Sequence, residues 1–170
     1  YEGKVNKNRA HGKGKYIDAQ GNIFEGKFKR NKFINQIDKK TRNIINIDVN
    51  KGISLLSTLS EHDNAQACVI SNGYILAIEA VEGTDKMLTR VNSIKRKISR
   101  NIIEGTLIKV PKTKQSLKVD LPTVGPNTLK LMYKNRLNVL GVCKDSTIVV
   151  EKLKFYKLLK QYQIKLYFID

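Results

Sequence analysis

A carboxylate set among lysines, just ahead of a proline, is the clearest place in this sequence where chemistry could begin. In KQSLKVDLPTVGPNT, residues 114–128, Asp120 stands where a strand reads into a turn, with Pro122, Gly125 and Pro126 stiffening the chain after it. A surface turn usually takes its Asp at the start of the turn. Asp120 instead follows Lys118 and precedes Leu121, which reads as a placed acid, and it is the only acid between Glu104 and Asp145. Upstream, Lys109, Lys112, Lys114, Gln115 and Lys118 recur at short intervals. That spacing suits a pocket for an anion and suits a solvated basic edge strand equally well.

A second cluster lies in AIEAVEGTDKMLTR, residues 77–90, where Glu79, Glu82 and Asp85 gather at a strand end and Gly83-Thr84 opens a helix. A strand-to-helix turn presents backbone N–H groups at a helix N-terminus, which attract phosphate. Purely local roles fit as well, with Thr84 as N-cap and Asp85 favouring the helix dipole. Nucleophilic catalysis finds no support. The serines lack a G-x-S-x-G setting, His62 reads as a loop residue, and there is no GxGxxG, P-loop or pair of CxxC motifs.

The elements that must position these residues follow from periodicity. QACVI and YILAIEA, joined by Ser71-Asn72-Gly73, read as a β-hairpin, because Asn-Gly supplies the positive φ angles of a tight turn. DVNKGISLLSTLSEHD is predicted as a short helix starting at Asp48, and TDKMLTRVNSIKRKI as a helix with Met87, Leu88, Val91, Ile94 and Ile98 on one face. GTLIKV, NVLGVC, TIVV and IKLYFI read as strands, and NTLKLMYKNRL and KLKFYKLLKQYQ as helices. The alternation describes an α/β domain, a mixed sheet with flanking helices, over residues 48–170. Residues 34–47, INQIDKKTRNIINI, read as a linker.

Residues 1–33 have another texture. Tyr1-Glu2-Gly3-Lys4-Val5 recurs as Phe24-Glu25-Gly26-Lys27-Phe28, 23 residues on, with Gly12, Gly14 and Gly21 as punctuation between. This is the pattern of an all-β hairpin repeat segment. Residues 1–32 resemble the MORN repeat, with Val5 and Asn8 departing from its usual Trp and Gly and His11 on its structural His. MORN repeats commonly serve as scaffolds or membrane-associated adaptors. One and a half repeats cannot bury a continuous core alone.

At 170 residues the chain suits one domain plus a small appendage, and no run of about 18 apolar residues would span a bilayer. It begins without a methionine or signal peptide and reads as a trimmed segment. Cys68 and Cys143 sit in apolar runs and are expected to be free, buried thiols in a reducing cytoplasm. The net charge of +17 implies an anionic partner. It is spread, with nine Lys/Arg against three acids over residues 1–34 (+6) and 23 against 12 over the rest (+11), so charge alone selects none.

The segments AQACVISNGYILAIEA, AIEAVEGTDKMLTR and LIKVPKTKQSLKVDLPTVGPNT, in that order, resemble the C-terminal domain of LpxI-type UDP-2,3-diacylglucosamine pyrophosphatases from about Asp48 to the C-terminus. The resemblance implies hydrolysis of UDP-diacylglucosamine to UMP and the lipid-linked sugar 1-phosphate in lipid A synthesis, with Mg2+ or another divalent cation. It implies Asp120 as the essential acid, Asp120 and Asp85 as metal ligands, and Thr84, Arg90, Lys109, Lys112, Gln115, Lys118 and Thr123 as substrate contacts. It further implies a cytoplasmic protein peripheral to the inner membrane of a Gram-negative bacterium. Its partners would be a lipid-linked nucleotide sugar, an anionic membrane surface, and the family's N-terminal domain or a second copy. The chain departs from the family at Ser116, often Asp, at Lys118, often Arg, and at Ala65-Gln66, often Gly-Gln. The alternative reading is a non-enzymatic MORN-type adaptor on anionic lipids. Nucleic acid is not expected, since no recognised module is present.

Overall fold

The computed structural model describes residues 2–6, 9–17, 23–29, 32–34, 39–61, 65–98, 104–112 and 121–169, with side chains from residue 43 onward apart from Arg96 and Ile98. Two compact units divide the chain, Tyr1–Arg42 and Asn43–Asp170. In the first, β1 (Glu2–Asn6), β2 (Arg9–Ile17), β3 (Ile23–Lys29) and β4 (Lys32–Ile34) pair in that order, each antiparallel to the next. Gly3 lies opposite Gly14, and Gly14 opposite Gly26, so the repeated glycines align across three strands.

The second unit is the mixed α/β sheet with flanking helices that periodicity predicts. Its elements are α1 (Lys39–Ser60), β5 (Ala67–Ser71), β6 (Tyr74–Ile78), α2 (Gly83–Ile98), β7 (Thr106–Lys109), β8 (Thr123–Val124), α3 (Pro126–Lys134), β9 (Val139–Cys143), β10 (Ile148–Val149), α4 (Lys152–Gln161) and β11 (Lys165–Ile169). Five strands form the main sheet in the order β11-β9-β7-β5-β6. β11, β9 and β7 are parallel, β5 runs against β7, and β6 runs against β5. Hence β6, β7, β9 and β11 all point the same way, and the connections leaving their C-terminal ends emerge along one edge.

Helices cover both faces, and for that reason the middle strands are apolar without alternation. Ala67, Val69, Leu107, Leu140 and Val142 join a core with Met87, Leu88 and Val91 of α2, Leu129 and Met132 of α3, and Phe155 and Leu159 of α4. Each of these helical sets recurs at three- or four-residue spacing, as a helix with one buried face requires. Cys68 and Ile108 lie opposite each other on β5 and β7 and face α1. A methyl group added at Gly52 of α1 would come within 2.1 Å of Ile108 Cδ1 and 3.2 Å of Cys68 Sγ, so the helix backbone rests directly on the sheet. Both cysteines are free, Cys68 buried and Cys143 half-buried. Burial pushes the Cys68 thiol up to about 12, which makes it unreactive.

Two expectations require correction. The second half of the expected linker 34–47 is helical, since α1 starts at Lys39. Asp48 accordingly does not begin a helix. It sits inside α1, 2% exposed, and accepts a hydrogen bond from the Gly73 N–H at 2.7 Å. Lys51, one turn on, donates to the Gly73 carbonyl at 2.7 Å. Asn72 and Gly73 have φ values of +50° and +79°, the left-handed pair of a tight hairpin turn. The turn read from sequence is thus present, and α1 clamps it.

Burial raises the Asp48 carboxyl above its ordinary range, opposed by hydrogen bonds from the Gly73 and Asn72 backbone and the Thr106 side chain and by the charge of Lys51. With the folded value above the unfolded one, this group favours folding most below its ordinary pKa, and the contribution is lost as pH rises through the raised value. Asp48→Asn keeps an oxygen for Gly73 N–H and removes the buried charge. It is expected to match or exceed the parent's stability at pH 7 and to lose that advantage towards pH 4. Asp48→Ala leaves the turn amide without an acceptor and should cost about 1–3 kcal/mol. Thermal unfolding across pH 4–8 measures both.

Candidate functional site

The common edge of the parallel strands is where open α/β sheets bind ligands, and the cleft of this unit lies there. One cavity, of about 330 Å³, is lined by Ala65, Gln66, Glu79, Ala80, Lys109, Lys112, Leu121 and Thr123. A second, of about 540 Å³, shares Lys109 and Thr123 and extends past the start of α2 to Gly125, Pro126, Asn127 and Thr128 at the start of α3. Sharing two lining residues, they form one continuous cleft of the size small-molecule sites occupy.

Lys109 stands at its centre. It is the last residue of β7, the middle strand, and is 8% exposed. The alternative of a solvated basic edge strand is therefore set aside for this lysine, because β7 has neighbours on both sides. Its Nζ donates to Thr84 Oγ1 at 2.7 Å, and Thr84 Oγ1 donates in turn to Glu79 Oε1 at 2.7 Å. Thr84 is consequently no N-cap. Gly83, at φ +78°, makes the entry into α2, and the threonine hydroxyl spends its proton on Glu79.

The other wall is α3. Gly125 precedes it in extended conformation and Pro126 occupies the first turn, where a missing N–H costs nothing. The Asn127 and Thr128 amides are left at the helix start beside the cavity. β8 is held by parallel pairing with β10, Ile148 opposite Thr123 and Val149 opposite Val124. Ile148 N–H donates to the Pro122 carbonyl at 2.8 Å and Val150 N–H to the Val124 carbonyl at 2.9 Å. These bonds hold Thr123, which lines both cavities together with Lys109. Across the cleft Asn127 Nδ2 donates to Asp85 Oδ2 at 2.6 Å, tying the starts of α2 and α3 together.

Of the expected site residues, Thr84, Asp85, Lys109, Lys112 and Thr123 all line the cleft. Arg90 lines neither cavity. Its guanidinium donates to the Ile78 carbonyl at 3.0 Å and pairs with Glu82 at 2.6 Å, and that pairing holds the Glu82 carboxyl below its ordinary range. Asp120, Gln115 and Lys118 lie outside the described residues. The residues bounding their segment, Lys112 and Leu121, both line the smaller cavity. Sequence reading noted Glu79 as one of a cluster but gave it no place in the site, and it passed over Asn127. Their positions at a strand end and in a helix first turn were the available signals. Ala65 sits at φ +52°, a conformation that favours glycine, at the step where the resembled family often carries Gly.

The LpxI C-terminal domain family matches residues 34–167, most of the chain. The chain belongs to that family. A relative, the UDP-2,3-diacylglucosamine pyrophosphatase LpxI of Caulobacter vibrioides, is 38% identical over 86 residues, covering 48% of this chain and 30% of that protein. The chain thus spans about a third of the length of the relative it matches. The LpxI C-terminal domain match starts ahead of Asp48, takes in the whole of α1, and does not reach residues 1–32.

Among the described residues no group of three His, Cys, Asp or Glu side chains is placed to hold a metal. The donors available are nonetheless of the right kind for a hard cation. Glu79 Oε2 is a buried carboxylate oxygen with no hydrogen-bond partner among the described residues, and divalent magnesium takes oxygen ligands.

Proposed function

We propose that this LpxI C-terminal domain forms the pyrophosphate-binding side of a UDP-2,3-diacylglucosamine hydrolase, whose reaction adds water across the pyrophosphate to give UMP and 2,3-diacylglucosamine 1-phosphate. The observation that carries this reading is the buried Lys109, which opens on a cleft walled by the first turns of two helices. A fixed ammonium and backbone N–H groups stabilise charge as it develops on phosphate oxygens. Lys112 adds a second cation at the rim of the smaller cavity.

Thr84 orients Lys109 by accepting a hydrogen bond from its ammonium and anchoring the pair to Glu79. Thr123 stands across the cleft as a hydroxyl partner for a phosphate oxygen. Arg90 acts from behind, fixing Glu82 at the wall of the larger cavity. Asp120 is proposed as the essential acid, with Gln115 and Lys118 as further substrate contacts, on the resemblance of LIKVPKTKQSLKVDLPTVGPNT to the family's motif. Glu79, Asp85 and Asp120 are the residues that would hold Mg2+, which when bound supplies Lewis-acid polarisation of a phosphate oxygen. The proposed setting is the cytoplasmic face of the inner membrane of a Gram-negative bacterium. The MORN-like segment of residues 1–32 is proposed as an accessory to that placement and not as a separate adaptor function.

Calorimetric titration of the chain with UDP and with inorganic pyrophosphate, with and without Mg2+, tests the reading directly. Saturable binding of both is expected, strengthened by the cation. UMP formation from UDP-2,3-diacylglucosamine should follow when the remaining two-thirds of the relative's sequence is supplied alongside. Absence of binding up to millimolar ligand would refute it.

A further inference from the structure

The lip of the cleft carries apolar side chains that none of the described residues covers. Val81, in the turn between β6 and α2, is fully exposed, and its neighbours Ala80 and Glu82 line the two cavities. On the opposite lip Val150, itself a lining residue, is 46% exposed and Leu153, in the first turn of α4, is 92% exposed. Leu153, Tyr156 and Lys157 lie three and four residues apart on one face of α4, away from the buried Phe155 and Leu159. Exposed Lys152, Lys154 and Lys157 surround the apolar pair, with Glu151 as the acid beside them.

Single exposed aliphatics are ordinary on any surface. Here they stand on both lips of one cleft, and a basic, amphipathic helix extends the outer lip. Aliphatic and tyrosine side chains flanked by lysine are the chemistry of a surface that enters an interface while its cations meet anionic headgroups. A second copy of the chain fits poorly, because a two-fold contact over α4 would set its lysines against one another.

We propose that the outer face of α4, together with Val150 and Val81, docks on an anionic lipid bilayer, so that the cleft opens at the membrane surface. The inference rests on the lipid-linked substrate proposed above for its continuity with the cleft, and on charge complementarity for the choice of partner.

Co-sedimentation with vesicles of phosphatidylcholine, pure or containing phosphatidylglycerol, tests it, with UDP titration run on the same proteins. The parent should partition at least about tenfold better onto the anionic vesicles at low salt, and lose that preference as salt rises. Leu153→Ser should weaken partitioning about tenfold, the effect of exposing one leucine. Lys157→Glu should weaken it about twentyfold or more, since each basic residue near such a surface contributes roughly fivefold. UDP affinity should stay at the parental value in both. Equal partitioning of parent and Leu153→Ser/Lys157→Glu, or no anionic preference in the parent, overturns the docking face. So does a parent that self-associates without vesicles and is made monomeric by the double substitution. If no protein binds UDP yet the vesicle pattern holds, the substrate reading fails and the docking face stands.

Discussion

Lys109→Met should weaken UDP and pyrophosphate binding by tenfold to a hundredfold and lower UMP-forming turnover by about 10²–10³, while the domain still folds. The size of the effect follows from where the lysine sits. It ends the central strand, is 8% exposed, and lines both cavities. An ammonium held there meets a phosphate oxygen through a charge-assisted hydrogen bond, about twice as strong as a neutral one. Methionine has similar length and volume and leaves the strand's packing against β5 and β9 in place. What it removes is the donor to Thr84, and with it the orientation of the Thr84–Glu79 pair. A purely structural lysine would behave otherwise, with a lower thermal midpoint and unchanged affinity per folded molecule. Thr84→Ser and Thr84→Val separate the relay from the charge, since serine keeps the hydroxyl between Lys109 and Glu79 and valine does not.

For Asp120→Asn the expected result is a loss of at least about a hundredfold in turnover with Mg2+, at unchanged folding and vesicle binding. The warrant is a combination of sequence and setting. Asp120 is the sole acid between Glu104 and Asp145, and it immediately precedes Leu121, which lines the smaller cavity. Pro122 is buried and its carbonyl accepts from Ile148 N–H, so the chain leaving Asp120 is anchored at once. We propose that the anchor at Pro122 positions the acid before substrate arrives, the condition for useful electrostatic catalysis. If Asp120 served only as an ion-pair partner for a nearby lysine, the substitution would shift the thermal midpoint and leave per-molecule turnover nearly intact. An asparagine variant that hydrolyses UDP-2,3-diacylglucosamine at the parental rate ends the assignment. Ser116 stands where the resembled family often has Asp. Ser116→Asp would then be expected to strengthen Mg2+ dependence, because it restores a carboxylate to the same motif.

Local backbone preference was legible in the residues themselves. Asn72-Gly73 specifies its hairpin because both positions need positive φ and these two residue types tolerate it. The stripe Met87, Leu88 and Val91 announces α2 because its apolar members recur at helical spacing. The first turns of α1 were not legible for a matching reason. Its buried stripe runs through Ile45, Asp48, Val49, Gly52 and Leu56, and a carboxylate and a glycine break the apolar count. Only the tertiary structure shows that the carboxylate serves a turn 25 residues away and that the glycine admits Ile108. The site divides in the same way. Residue types and spacing singled out Thr84, Asp85, Lys109 and Lys112, and the family resemblance added Thr123. Their convergence depends on sheet order, which puts β7 in the middle and brings the starts of α2 and α3 to one edge. Thr84 met the local rule for an N-cap, yet its hydroxyl is held between Lys109 and Glu79. Capping preference is worth about 1 kcal/mol, and two 2.7 Å hydrogen bonds to the Lys109 and Glu79 side chains outweigh it.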